Sequence, residues 1–361
     1  MALTASTGLA IDPLRVFAAA STVQEYLVVG SYTKAVRANL TQQTVKQLEI
    51  GFLAHSLLRH PKYPHRYLAM EKWGPNAAMV DFETGEVKKV LGGENQHFYG
   101  HGRYVPEKNA FYVSRVSVET GKGYLAAYDP ETYEAKDAIH VCMGGLHECR
   151  RMPDNTYAVT SSGVKADDYG DPRKGKRVEP SSLRFVDIVG SGKVVRDLSI
   201  QDDKQVIGHF EITKHGQIIA LSSPLSQFLG GDLRTASRNN AGYVYFSRDG
   251  KEPLKEMDWG HDLQMQIKGE ILSIALNEDH TQAAVTNPLA GNVVLLDLEK
   301  QKVIKSVEAP FRGIVWDPLS KGYIGSERHL VWIAPDFSKM TKLPIENKAG
   351  YSSSHSILET V

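Results

Sequence analysis

An all-β fold, a seven-bladed β-propeller of four-stranded blades, is what this sequence predicts, and three observations predict it. A strand–turn–strand unit recurs along the 361 residues. Its clearest copies begin at His55, His101 and His147, spaced 46 residues apart, which is the length of one propeller blade. The two ends carry complementary fragments, three strands at one end and one at the other. Composition agrees, because 31 Gly, 16 Pro and 16 Tyr alongside many Val and Ile favour short strands joined by turns.

Residues 1–22 are set apart from this pattern. Met1–Ala20 is mildly apolar and ends in Ala18-Ala19-Ala20, just before a sharp strand onset at Gln24-Glu25-Tyr26. Small residues in that place are what an export cleavage site requires. The segment looks like the second half of a twin-arginine signal, weak enough in hydrophobicity to carry Asp12 and Arg15. The alternative is a frayed amphipathic N-terminus. Residues 23–361 are then expected to form one domain.

Within it, Tyr26–Thr33, Val36–Leu40 and Val45–Gly51 read as three strands with no partner strand before them. The repeated unit follows as HSLLRHPKYPHRYLAME from His55, HGRYVPEKNAFYVSR from His101, HECRRMPDNTYAVTSS from His147 and HFEITKHGQIIALSS from His209. Weaker copies start at Ser273 and Gly313, and a truncated one at His355. Each copy is a strand, a polar turn, and a strand ending in a small polar residue. Two further strands follow it, as Tyr124–Asp129 and Ala135–Val141 do behind His101. The last copy has nothing after Ser354–Thr360, so the ends together make a seventh blade. That closure leaves no free sheet edge.

The first position of the units is His55, His101, His147, His209, Ser273, Gly313 and His355. With 13 His in the chain, chance would place less than one there. First strands of a propeller line its central channel, so these five histidines are predicted to ring one mouth of it. Neutral imidazoles converging from several strands suit a transition metal, with Cu, Zn, Fe and Ni all open. Hydrogen bonding of each ring to a neighbouring blade is the competing explanation. Glu148 is a candidate oxygen ligand or acid–base group, or else a turn residue facing solvent. Cys149, two residues past His147, is expected on the same side of its strand. It and Cys142 could be bridged, free or metal ligands.

Two long connections, 163–180 and 224–241, are expected on the same face as candidate lids. They carry Arg173, Lys174, Lys176, Arg177, Arg234 and Arg238, which could admit an acidic ligand or dock a partner.

Other classes lose support from what is missing, although an enzyme is not excluded. Lys and Arg total 42 against 42 Asp and Glu, so the basic excess of a nucleic-acid-binding surface is absent. No apolar run is long enough to span a membrane as a helix. No phosphate loop, dinucleotide glycine pattern, serine triad or paired CxxC is present.

The stretches Gln96-His97-Phe98-Tyr99-Gly100-His101-Gly102, Gly144-Gly145-Leu146-His147-Glu148, Glu179-Pro180-Ser181-Ser182-Leu183 and Gly208-His209-Phe210 in this order resemble a family of bacterial exported proteins of unknown function. The resemblance spans nearly the whole chain after residue 25. It implies a twin-arginine signal, a periplasmic location and an encoded neighbourhood of iron-acquisition proteins, which favours iron or copper. The insertion after the third unit is more charged here than is usual in that family. The expectation is therefore a periplasmic metal-binding propeller that handles iron or copper or runs redox chemistry at it. A metal-dependent hydrolase or lactonase-like enzyme, and a scaffold for another exported protein, are the alternatives.

Overall fold

The computed structural model describes residues 24–93, 95–167, 174–230, 240–347, 350–351 and 355–360. The fold is all-β and antiparallel, built from four-stranded units. One unit runs Thr44–Glu49, Lys34–Asn39, Glu25–Ser31, Ser356–Thr360, so a C-terminal strand completes three N-terminal ones. Four further four-stranded sheets start at Leu146–Arg151, Gln205–Ile212, Ile274–Leu276 and Gly313–Asp317. An eight-stranded sheet contains the units that start at Ala54–Arg59 and Gln96–Val105. They are joined because the strand Arg66–Gly74 runs past its own unit, pairing Lys72 with Tyr99 and Gly74 with Phe98.

Each first strand packs against the first strand of the following unit, from Ala54–Arg59 through to Ser356–Thr360. The second strand of the terminal unit, Glu25–Ser31, in turn packs on Ala54–Arg59. Second and third strands are almost wholly buried, as in Gln282–Asn287 and Asn292–Asp297. Fourth strands such as Lys302–Glu308 are largely exposed. Val, Ile, Leu and Phe fill the spaces between units, for example Phe185, Phe210, Ile219 and Val244 in one cluster.

A repeated side chain explains how the turns are held. At the end of the third strand an Asp or Asn accepts backbone N–H bonds from the turn after it. Asn39 takes Gln42 at 2.8 Å, Asp81 takes Glu83 at 2.9 Å, Asp129 takes Glu131 at 2.8 Å and Asp297 takes Lys300 at 2.8 Å. Asp187, Asp249 and Asp336 do the same. Such Asx turns are a local reason for the chain to reverse there.

Candidate metal centre

Four of the five histidines sit at or beside a break in strand register. Ala54 pairs with Glu71 and Ser56 with Met70, which leaves His55 as an extra residue. Register also slips between Phe98 and Gly102, between Leu146 and Cys149, and between Ile207 and His209. A bulge of this kind takes side chains out of the two-residue alternation and re-aims them. Hydroxyls on the second strand satisfy the backbone groups it frees. Ser114 Oγ accepts from the His101 N–H at 3.2 Å and donates to the His101 carbonyl at 2.7 Å. Thr160 Oγ1 accepts from the Glu148 N–H at 2.8 Å and donates to the Gly208 carbonyl at 3.0 Å. Gly100 has φ +107, and a Cβ there would stand 2.4 Å from the His55 ring, so glycine is required both by conformation and by space.

The result is a convergence of imidazoles. One ring nitrogen from each of His55, His101, His147, His209 and His355 lies within 4.8 Å of all the others. His147 Nε2 is 2.8 Å from His209 Nε2 and 3.2 Å from His55 Nε2. The two units with Ser273 and Gly313 leave room for the rings to close across the gap, and the His209 and His355 centroids are 4.4 Å apart. Ser273 bonds sideways instead, its Oγ accepting from the Ile314 N–H at 3.2 Å. Metal–imidazole bonds of about 2.0–2.1 Å put opposed ligands about 4.1 Å apart. The cluster needs only a small contraction to hold one ion.

Protonation favours the same use. His147 Nδ1 is 3.0 Å from the Tyr99 carbonyl. A carbonyl only accepts, so Nδ1 carries the proton and Nε2 presents its lone pair to the centre. His101 Nε2 is buried with no hydrogen-bond partner, an arrangement that costs about 1–3 kcal/mol unless something binds there. Burial first, with the charge of Lys72 adding to it, holds all five imidazoles well below their usual pKa. They are neutral at neutral pH.

The cluster separates two cavities. On one side, about 310 Å³ is lined by His55, His147 and His209 together with Lys72, Trp73, Phe228, Glu270 and Arg312. On the other, about 680 Å³ is lined by His101 and His355 with Arg103, Glu148, Arg150 and Glu211. Glu148 Oε2 lies 3.6 Å from His101 Nδ1, and Arg150 Nη2 pairs with Glu211 Oε1 at 2.7 Å. Burial pushes the Lys72 ammonium down to about 8, with Glu270 opposing and Arg312 adding.

All five predicted histidines meet, but between two cavities rather than round an open mouth, because the bulges point the rings inward. Glu148 is a buried strand residue, not a turn residue, and stands beside the ring instead of among its converging nitrogens. The expectation that Cys149 shares a side with His147 fails. The bulge after Leu146 breaks the alternation, and Cys149 packs with Cys142 in an apolar cluster, both as free thiols. Of the basic insertion residues, Lys174, Lys176 and Arg177 line neither cavity. Arg177 Nη2 instead bonds the Gln205 carbonyl at 2.6 Å. Arg173, Arg234 and Arg238, like residues 1–22, lie outside the described residues. The cations beside the cluster, Lys72 and Arg312 on one side and Arg103 and Arg150 on the other, were missed by sequence reasoning. A signal existed: the unit at His55 runs on into Glu71-Lys72-Trp73, where the units at His147 and His209 end in Ser-Ser.

Comparison with known proteins gives a fold and a family. A family model described as "Protein of unknown function (DUF1513)" matches residues 49–318. No curated protein matches the chain. Among solved structures, hydrazine synthase of Kuenenia stuttgartiensis is similar with a TM-score of 0.61 and 12% identity, covering 86% of this chain and 89% of that one. The Cps50 (Swd1) β-propeller domain of Myceliophteria thermophila gives 0.56 and 9%, covering 88% and 92%. The Dos1 propeller gives 0.51 and 9%, covering 92% and 76%. At such identities the likeness speaks for the β-propeller fold alone.

Proposed function

We propose, for a chain that belongs to the DUF1513 family of proteins of unknown function, that it is a metal-binding propeller holding one first-row transition-metal ion on His55, His101, His147, His209 and His355. The observation that carries this is the convergence of five neutral imidazole nitrogens within 4.8 Å. Hydrogen bonding between blades accounts for His147, whose Nδ1 meets the Tyr99 carbonyl, but leaves the buried His101 Nε2 without a partner. Seven blades, closed by the pairing of Glu25–Ser31 with Ser356–Thr360, form the frame.

Copper or iron is the metal we favour, with zinc as the competitor. Imidazole suits all three, and a donor set without negative charge favours the lower-charged state of a redox pair. On this reading the protein handles metal or transfers electrons in the periplasm, with residues 1–22 as the remnant of an export signal. A hydrolytic site is less well supported, because Glu148 faces the cavity beyond His101 rather than the converging nitrogens.

Elemental analysis of protein purified without a nickel column, followed by titration with Cu(I), Cu(II), Fe(II) and Zn(II), tests the proposal. One equivalent bound, lost in a His101→Ala/His147→Ala double variant, is expected. Less than about a tenth of an equivalent, with no uptake on titration, overturns it; a stoichiometric site requires near-complete occupancy at saturation.

A further inference from the structure

We propose that the cavity over the His55–His147–His209 face binds a small organic anion, a carboxylate on an apolar or aromatic body, which supplies the anionic donor that the five-imidazole site lacks. This rests on the metal reading above and names the ligand of that same site.

Charge is the first argument. The lining includes two cations, Lys72 and Arg312, against one carboxylate, Glu270. Lys72 Nζ lies 4.7 Å from the Trp73 ring centroid. Among the described residues no carboxylate stands within ion-pair distance of it. A divalent ion on a neutral ring would add to this excess, and apolar walls weaken the screening.

Shape is the second. At about 310 Å³ the cavity is at the small end for organic ligands. Its walls include Trp73 and Phe228, whose rings meet edge to face with centroids 5.9 Å apart. Phe228 closes the short helix Leu225–Phe228, which opens the second insertion. Leu53 and Leu272 extend the apolar surface, while Ser162, Ser223 and Gln227 provide hydrogen-bonding groups. Two cations, apolar walls and three imidazoles in one lining fit a ligand whose carboxylate points at the metal and whose body lies against Trp73.

The Co(II)-loaded full chain provides the test, with benzoate as the probe and benzylamine as its cationic counterpart. Benzoate should shift the visible Co(II) bands saturably, and benzylamine should not. Lys72→Met and Arg312→Gln should each weaken benzoate at least tenfold with one Co(II) still bound, and Lys72→Arg should restore most of the affinity. A loaded protein whose bands ignore benzoate, or which binds benzylamine as well as benzoate, or whose variants bind benzoate unchanged, overturns the anion site and leaves the metal reading standing. A chain that takes up no Co(II) overturns both.

Discussion

His147 and His209 face each other Nε2 to Nε2 at 2.8 Å. The Tyr99 carbonyl holds the other nitrogen of His147 protonated, so Nε2 of His147 is a lone pair held against a second imidazole. An ion bound between them takes both nitrogens at once. His147→Ala or His209→Ala is expected to weaken metal binding by at least about a hundredfold, the upper range for losing only a ligand's hydrogen-bond partner. His329→Ala, outside the cluster, should leave it unchanged. Competition against a chromophoric chelator measures both.

Glu148 acts through His101. Its carboxylate stands 3.6 Å from His101 Nδ1 and favours the tautomer that turns Nε2 to the centre. Glu148→Gln should keep the stoichiometry of one ion and lower the affinity about 10–100-fold. Loss of the ion altogether would instead make Glu148 a ligand.

Metal-free protein should lose stability steeply in acid. The five imidazoles have native pKa values well below 6.5, so below that pH the unfolded chain binds more protons than the native one. Their contribution is complete above about pH 6.5 and is lost as pH falls toward the depressed native values. Each imidazole removes about 1.4 kcal/mol per pH unit in that window. Denaturant titrations from pH 7.5 to 5 should show a slope of several protons, reduced by His101→Ala.

Glu25 should show the opposite sign. It is fully buried near Asp317, and burial first, then that carboxylate, raises its pKa to about 9. A raised group contributes fully below its unfolded pKa and loses that contribution as pH rises through about 9. At pH 7 the native state therefore has to keep a proton that the unfolded state releases. Glu25→Gln needs no proton and should stabilise the fold by about 1–3 kcal/mol at neutral pH, with little gain at pH 4. Urea unfolding at both pH values decides it.

Thr160 joins two units through one hydroxyl, accepting from the Glu148 N–H and donating to the Gly208 carbonyl. Thr160→Val keeps the shape and leaves both backbone groups unpaired. A loss of about 1–3 kcal/mol is expected, together with weaker metal binding, because His147 and His209 flank those groups. Thr160→Ser should recover most of both.

The repeat was legible in the sequence because it is carried by local chemistry. An Asp or Asn after the third strand, as at Asp81, Asp129 and Asp297, bonds its own turn, so each copy bears its signature within a few residues. The five histidines were legible for a related reason. Equivalent places in equivalent units are equivalent in space, and His55, His101 and His147 share one spacing.

What the sequence by itself determined was an all-β repeat architecture and the identity of five residues that share one position in it. Tertiary structure alone decided what those residues became. Bulges at His55, His101, His147 and His209 break the alternation on which strand-side reasoning depends, turning the imidazoles inward and sending Cys149 into an apolar cluster. It also placed Lys72 and Arg312 beside the ring. Their approach depends on Arg66–Gly74 running on to pair with Tyr99 and Phe98 and on the path of the connection before Gly313. Both are long-range packing outcomes: Glu71-Lys72-Trp73 marks a local departure from the repeat, but where Lys72 comes to lie is set by the pairing of distant strands.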